Sequence, residues 1–206
     1  MNVNNPYHRG AHFYETNLRL PLISRIRRHE ARVVGDLIAR HKDHTGRALE
    51  VGPGTGFYTV ALSAAFREVI AVEDSAPMVA ILREKLAAAG AGNVTVDHGD
   101  FRQLRVDGEF DVAVAIGVLD YIADPTSFVE KMCAAARKAV IVTVPQRGLL
   151  GTCFVAGGAL RKTRVYCYDH DAIPGWAPEW RCTIAEAGRA SRLAKGLTLV
   201  AAFERR

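Results

Sequence analysis

Between Arg47 and Val144 the sequence alternates short runs rich in Val and Ile with longer stretches of helical periodicity, and this alternation constrains the fold more than any other feature. The runs are 47–52 (RALEVG), 68–73 (EVIAVE), 94–98 (VTVDH), 110–116 (FDVAVAI) and 139–144 (AVIVTV). Each is too short for a typical helix, and continuous β-branched apolar character is what strands covered on both faces require. Between them, 55–66, 76–89 and 126–138 carry Ala, Leu, Lys and Glu with apolar residues three and four apart, as in Met78, Ile81, Leu82 and Leu86. Strands and helices in turn spell βαβ units, hence an α/β fold in which a mostly parallel sheet lies between helical layers.

The ends depart from this pattern. Leu22, Ile23, Ile26, Val33, Val34, Leu37 and Ile38 share one helical face, with Arg25, Arg27, Arg28, Arg32 and Arg40 largely on the other, so an amphipathic helix precedes the first strand. After Val144, glycines among apolar residues and then the aromatic, proline-rich stretch 166–180 read as an insertion over the sheet edge. The runs 190–195 and 197–204, around Gly196, predict a terminal antiparallel hairpin.

A chain of 206 residues, 49% hydrophobic and 24% charged, suffices for one buried core without staples. Cys133, Cys153, Cys167 and Cys182 form no CxxC pair, and no leader or membrane-length apolar run is present, which points to a cytoplasmic protein without disulfides, zinc or membrane contact. The net charge of +5 is unevenly spread: +5 over residues 1–47, −5 over 48–145 and +5 over 146–206. The basic ends serve either as solvated helix faces or as a rim that attracts an anionic substrate or nucleic acid.

The first run leads into ALEVGPGTGFYT (48–59), a strand, a turn with glycine at 52, 54 and 56, and a helix. Glycine at such positions permits positive φ and lets backbone approach a ligand. A dinucleotide fingerprint needs a sixth-position glycine where Phe57 stands, and a P-loop needs Lys where Tyr58 stands, so neither phosphate-binding motif fits. Glu50, two residues before the loop, repels pyrophosphate and attracts a cation. Glu73 ends the second run, with Asp74 and Ser75 after it, and is placed to accept hydrogen bonds from ribose hydroxyls. Gly99-Asp100-Phe101 follows the third run. Asp100 offers an acceptor for an exocyclic amine or caps a short helix, and Phe101 offers a ring for an adenine face.

LEVGPGTG, AVEDSAPMV, GDF and FDVAVAIGVLDYIADP, in this order and spacing, resemble the class I S-adenosylmethionine-dependent methyltransferases over about residues 45–145. The resemblance implies a three-layer αβα sandwich with a seven-stranded sheet of order 3-2-1-4-5-7-6, the last inserted strand antiparallel. It implies S-adenosylmethionine as cofactor and S-adenosylhomocysteine as product. Gly52, Gly54 and Gly56 would wrap the methionine part, Glu50 would face its ammonium, and Glu73, with Asp74 and Ser75 beside it, would hold the ribose. Asp100 and Phe101 would hold adenine, Met78 and Ile116 would pack around base or ribose, and Tyr14 would reach the methionine carboxylate. The single domain 1–206 then divides into an N-terminal helical lid (1–46), a cofactor-binding core (47–145), a substrate-side insertion (146–180) and a C-terminal helix and hairpin (181–206).

The expected reaction is in-line transfer of a methyl group to an oxygen or nitrogen of a small-molecule acceptor, by a monomer or homodimer. The alternatives are an RNA or protein acceptor, or a cofactor-binding partner without turnover. The sequence lacks the [DN]PP[YF] motif of the family's DNA amino-methylating enzymes and the Pro-Cys of its cytosine-C5 enzymes. Val144-Pro145-Gln146 stands where the catechol-type enzymes carry metal ligands, so no catalytic Mg²⁺ is expected. Asp120 and Tyr121 are candidates to orient or deprotonate the acceptor, and His170, between Asp169 and Asp171, is the candidate histidine base. Leu149, Leu150, Phe154, Val155, Tyr166, Tyr168 and Trp176 are expected either to line an apolar acceptor pocket or to cover the sheet.

Overall fold

The structure is a computed structural model that describes residues 21–105, 110–148, 164–188 and 197–206, with backbone alone for 21–26. Helix α1 (Pro21–Arg40) leads to strand β1 (Asp43–Val51), then α2 (Thr59–Ala65), β2 (Phe66–Glu73), α3 (Ala76–Ala89), β3 (Val94–His98) and β4 (Phe110–Ala115). A 3₁₀ turn at Leu119–Tyr121, α4 (Thr126–Ala135) and β5 (Ala136–Pro145) follow. A second 3₁₀ segment (His170–Trp176), β6 (Arg181–Ala187) and β7 (Thr198–Glu204) complete the described chain.

The seven strands order as β3-β2-β1-β4-β5-β7-β6, with β7 antiparallel to both neighbours and the other pairs parallel, as the resemblance implies. Strand parity assigns the two faces. Leu49, Val51, Val72, Ala113, Val140 and Val142 face one layer, covered by α4 and the second 3₁₀ segment. Ala48, Val69, Val112, Val114 and Ile141 face the other, covered by α1 and α2 through Val34, Leu37, Ile38 and Leu62. Glu50, Glu73, Ile116 and Thr143 continue the second parity to the carboxyl ends of their strands. There the chain leaves β1 toward β2 on one side and β4 on the other, the switch point where α/β sheets open a crevice.

Helix α3 has the expected limits: Pro77 opens it, and Gly90 closes it with a φ of 65° while the Ala91 N–H returns to the Leu86 carbonyl at 3.0 Å. Helices α2 and α4 run directly into β2 and β5, so these strands begin at 66 and 136, earlier than their Val/Ile content suggests. The terminal hairpin differs more. Its first arm is Arg181–Ala187, where a helix was expected, and the expected arm 190–195 lies outside the described residues. Ala and Glu favour helix in isolation, but seven register pairs with β7 override that preference.

Asn93 ties the edge of the sheet together. Its Nδ2 donates to the Ser63 and Phe66 carbonyls, both at 2.9 Å, and its Oδ1 accepts from Ser63 Oγ at 2.9 Å. Asn93→Ala leaves these groups without partners and is expected to cost about 2 kcal/mol. Urea unfolding should show a lower midpoint with an unchanged slope.

Candidate functional site

Sequence-distant contacts hold the glycine turn after β1. Gly52, Gly54 and Gly56 have φ values of 67°, 56° and 80°. A Cβ at Gly52 would lie 2.4 Å from Val118 Cγ2, and one at Gly56 would lie 2.5 Å from Leu82 Cδ1, whereas nothing stands within 4 Å of that position at Gly54. The outer glycines therefore let the segment after β4 and helix α3 press against the turn, and the middle one faces open space. The Gly52 N–H donates to the Val72 carbonyl at 2.8 Å, and Lys85 Nζ of α3 donates to the Thr55 carbonyl at 3.1 Å. Phe57, 62% exposed, is the one exposed large hydrophobic residue among those described, and it meets Tyr58 edge to face.

Carboxylates of two neighbouring strands border the turn. Glu73 is 6% exposed and accepts from the Gly54 N–H through Oε2 and from the Ser75 N–H through Oε1, each at 2.9 Å. Burial raises its pKa; the two N–H groups oppose this and Asp74 adds to it. Glu50 is 3% exposed, and burial, assisted by Glu73, pushes its carboxyl up to about 7. The Thr59 hydroxyl lies near enough to favour the charge yet makes no hydrogen bond. Glu50 Oε2, Thr59 Oγ1 and Ser75 Oγ are all buried without hydrogen-bond partners among the described residues. Unpartnered buried polar atoms are costly and uncommon, and three around one turn suit a cationic, hydroxyl-bearing ligand.

The third strand end differs from expectation. Asp100 is held by Arg102 through a 2.6 Å ion pair that keeps its pKa low. Phe101 is 3% exposed, edge to face with Phe128 and beneath Lys131 Nζ at 4.8 Å, so its ring belongs to the core and cannot lie on a ligand in the crevice. Lys131 also donates to the carbonyls of Phe101, Arg102 and Leu104, fixing the loop at 2.6, 3.1 and 2.8 Å. Met78 is buried in α3, Ile116 is partly buried at the end of β4, and Asp74 is half-buried. Tyr14 lies outside the described residues.

On the β4 side, Gly117 turns the chain with a φ of 71°, its N–H donating to Thr143 Oγ1 at 2.9 Å. Asp120 and Tyr121 follow in the 3₁₀ turn. Asp120 is half-buried; desolvation pushes its carboxyl up to about 7, with Glu30 of α1 reinforcing the shift and Arg27 opposing it. Glu30, 5% exposed, accepts from Arg27 at 3.2 Å and from the Tyr58 hydroxyl at 3.4 Å, linking α1 to the glycine turn. The expected aromatic pocket is not open at Tyr168 and Trp176. Both are buried, edge to face, and the Tyr168 hydroxyl donates to the Leu119 and Ile122 carbonyls. Tyr166 packs against the same core, and its N–H donates to the Asp120 carbonyl at 2.8 Å. His170 stands on the surface, 55% exposed beside Asp171, and makes no described contact with Asp120. Leu149, Leu150, Phe154 and Val155 lie outside the described residues. Sequence reasoning passed over Glu30, Thr59, Lys85, Lys131 and Thr143; Thr143 alone carried a signal, its parity with Ile141 at a strand end.

A family model described as a methyltransferase domain matches residues 48–139. Demethylmenaquinone methyltransferase of Shouchella clausii is 38% identical over 94 residues, 44% of this chain and 40% of that protein. Protein-L-isoaspartate O-methyltransferase of Koribacter versatilis is 30% identical over 121 residues, 58% of this chain and 53% of that one. The chain thus spans about half or less of the length of these relatives. Among solved structures, magnesium protoporphyrin IX methyltransferase of Synechocystis with bound SAH has a TM-score of 0.77 at 16% identity, over 99% of this chain and 98% of that one. A possible histamine N-methyltransferase of Thermotoga maritima has a TM-score of 0.72 at 18% identity, over 98% and 99%. These two likenesses concern the fold.

Glu50 generates a stability prediction. Its folded pKa lies above the ordinary carboxylate value, so its favourable contribution is complete below about pH 4.5 and is lost as pH rises through about 7. Glu50→Gln removes a buried unpaired charge and is expected to stabilise the ligand-free protein at pH 8 by roughly 1–3 kcal/mol. Melting curves at pH 5 and pH 8 should show the variant gaining at pH 8 and little or nothing at pH 5.

Proposed function

We propose, from the premise that this chain belongs to the class I S-adenosylmethionine-dependent methyltransferase family, that it transfers the cofactor's methyl group to an oxygen or nitrogen of a small-molecule acceptor. One observation carries the reading: buried Glu50, with an unpartnered oxygen, beside Glu73 and the open side of Gly54. The cofactor supplies a methyl group already activated on a sulfonium. The chain's part is to bind, orient and exclude water.

Glu50 would face the cofactor's ammonium, and ionise as that cation approaches. Glu73 retains lone pairs for ribose hydroxyls although both its oxygens already accept from the turn. Asp74 and Ser75 flank that contact, and Met78 and Ile116 supply apolar cover. Asp100 reaches an adenine amine only by sharing its carboxylate with Arg102. Asp120, between α1 and the 164–168 segment, would take the proton that the acceptor gives up as the acceptor's lone pair replaces the sulfur on the methyl carbon, the sulfur leaving as a neutral thioether, and Tyr121 beside it would help orient the acceptor. Demethylmenaquinone and magnesium protoporphyrin IX, named in two similar proteins, are small molecules and support a small-molecule acceptor. The basic surface described below favours an RNA acceptor as the second reading.

Incubation with methyl-labelled S-adenosylmethionine and lysate tests the reading, with Glu73→Gln for comparison, since its one amide oxygen still accepts from one of the Gly54 and Ser75 amides whereas Glu73→Ala releases both. Label in small molecules is expected. Label in RNA or protein would promote the second reading, and cofactor binding without label would leave a binding partner without turnover. Glu73→Gln should weaken cofactor binding by roughly 2 kcal/mol, read by calorimetry. For Asp120, kcat should rise with pH with its midpoint near 7, and Asp120→Asn should lower kcat by about 10²-fold and flatten the profile.

A further inference from the structure

The two basic ends of the sequence meet in space. Helix α1 packs on β6 and β7, and register parity puts Arg181, some 150 positions from Arg28 and Arg32, on the α1 side of the sheet, while Arg205 lies over Trp180 at the strand ends. On α1, Arg28, Arg32 and Arg40 are exposed along a line interrupted by Asp36. The line spans about 18 Å at 1.5 Å per residue. It starts near the crevice, where Arg27 faces Asp120, and ends at the opposite edge of the sheet, where Arg40 and His41 meet Glu204.

At that edge lies a groove lined by Arg137, Lys138, Arg181 and Arg205, with His41 and Glu204 on its wall. The Arg205 N–H donates to the Lys138 carbonyl at 3.0 Å, and Arg181 pairs in register with Glu204, so backbone bonds set the spacing of these cations. Two of the acids nearby are engaged by Lys138, which leaves Arg181 and Arg205 as the groove's cations without a carboxylate ion pair among the described residues. Glu204 turns to His41 at 3.2 Å and to Arg40 at 3.9 Å, while Asp43 and Asp111 each hold Lys138 at 2.9 Å. The Arg205 guanidinium lies 5.9 Å above the Trp180 ring, which orients it. Arg28, Arg32 and Arg181 have no carboxylate partner among the described residues.

We infer that this track and groove bind the phosphodiester backbone of single-stranded RNA. Cations that follow a line and end in a groove match a charge repeated along a chain, whereas a single phosphate calls for donors converging on one point. The groove lies at the far end of the sheet from Glu50 and Glu73, so the test reads RNA binding directly and its outcome does not depend on which acceptor is methylated.

The test is fluorescence anisotropy of a labelled 12-nucleotide oligouridine with the full chain. If about four phosphates are contacted, affinity should fall roughly 50-fold between 50 and 200 mM salt. Arg181→Gln with Arg205→Gln should lower the salt slope by about 1.4, and Arg28→Gln with Arg32→Gln should do the same from the other end of the track. These side chains are exposed, and unchanged melting temperatures would show that both double variants fold. Absence of binding at 50 mM salt overturns the inference. So does uridine monophosphate binding as tightly as the oligomer, which would mean an isolated phosphate site. Polyglutamate binding as tightly would mean an acidic-protein surface and overturns it too, as would variants that leave the slope unchanged.

Discussion

The carboxylate of Glu73 is the joint on which the crevice depends. By accepting one N–H from the glycine turn and one from the start of α3, it binds the loop after β1 to the end of β2. The turn then has a fixed shape before any ligand arrives. Gly52 and Gly56 complete the joint by omission, since side chains there would collide with Val118 and Leu82. An ionised carboxylate accepts backbone N–H bonds more strongly than a neutral one, yet burial opposes its ionisation. The joint is therefore strongest when something nearby favours charge.

That tension extends across the site. Glu50, Glu73 and Asp120 all have raised pKa values because folding takes them out of water faster than it supplies partners. Such groups reduce the stability of the ligand-free fold near neutral pH, and a fold keeps them where binding returns the loss. Asp100 shows the contrasting case, already satisfied by Arg102, whose hydrogen bonds hold its carboxyl below the usual carboxylate range. The crevice thus divides into a hungry part around Glu50 and a sated part around Asp100. The second α-helical contribution comes from Glu30, which joins α1 to Tyr58 on the turn and sets the field around Asp120.

Much of this was legible in the residues. The strand run 94–98 and the helix 76–89 stand where their patterns put them, because Gly90 and Pro77 are local signals that packing does not contradict. Phe101 was misread for the opposite reason. Its neighbour Asp100 suggested a ligand, but Phe128 and Lys131, nearly thirty residues on, draw the ring into the core. Arg181–Ala187 was misread as helical because an edge strand with alternating exposure has only a weak pattern of its own, and its partner β7 supplies the missing hydrogen bonds. Tyr168 and Trp176 carried no sign of direction, and only their burial against the 3₁₀ turn shows that they brace Asp120's backbone instead of opening a pocket.

By itself the sequence determined the alternation of strands and helices, the glycines that shape the turn and the presence of acids at strand ends, because periodicity and backbone freedom are local properties. The tertiary structure alone decided which acids lose water, which arginine or amide each one meets, and that the first helix packs beside β6 and β7 from the other end of the chain. Burial and electrostatics act between residues that only folding brings together, so no pattern along the chain records them.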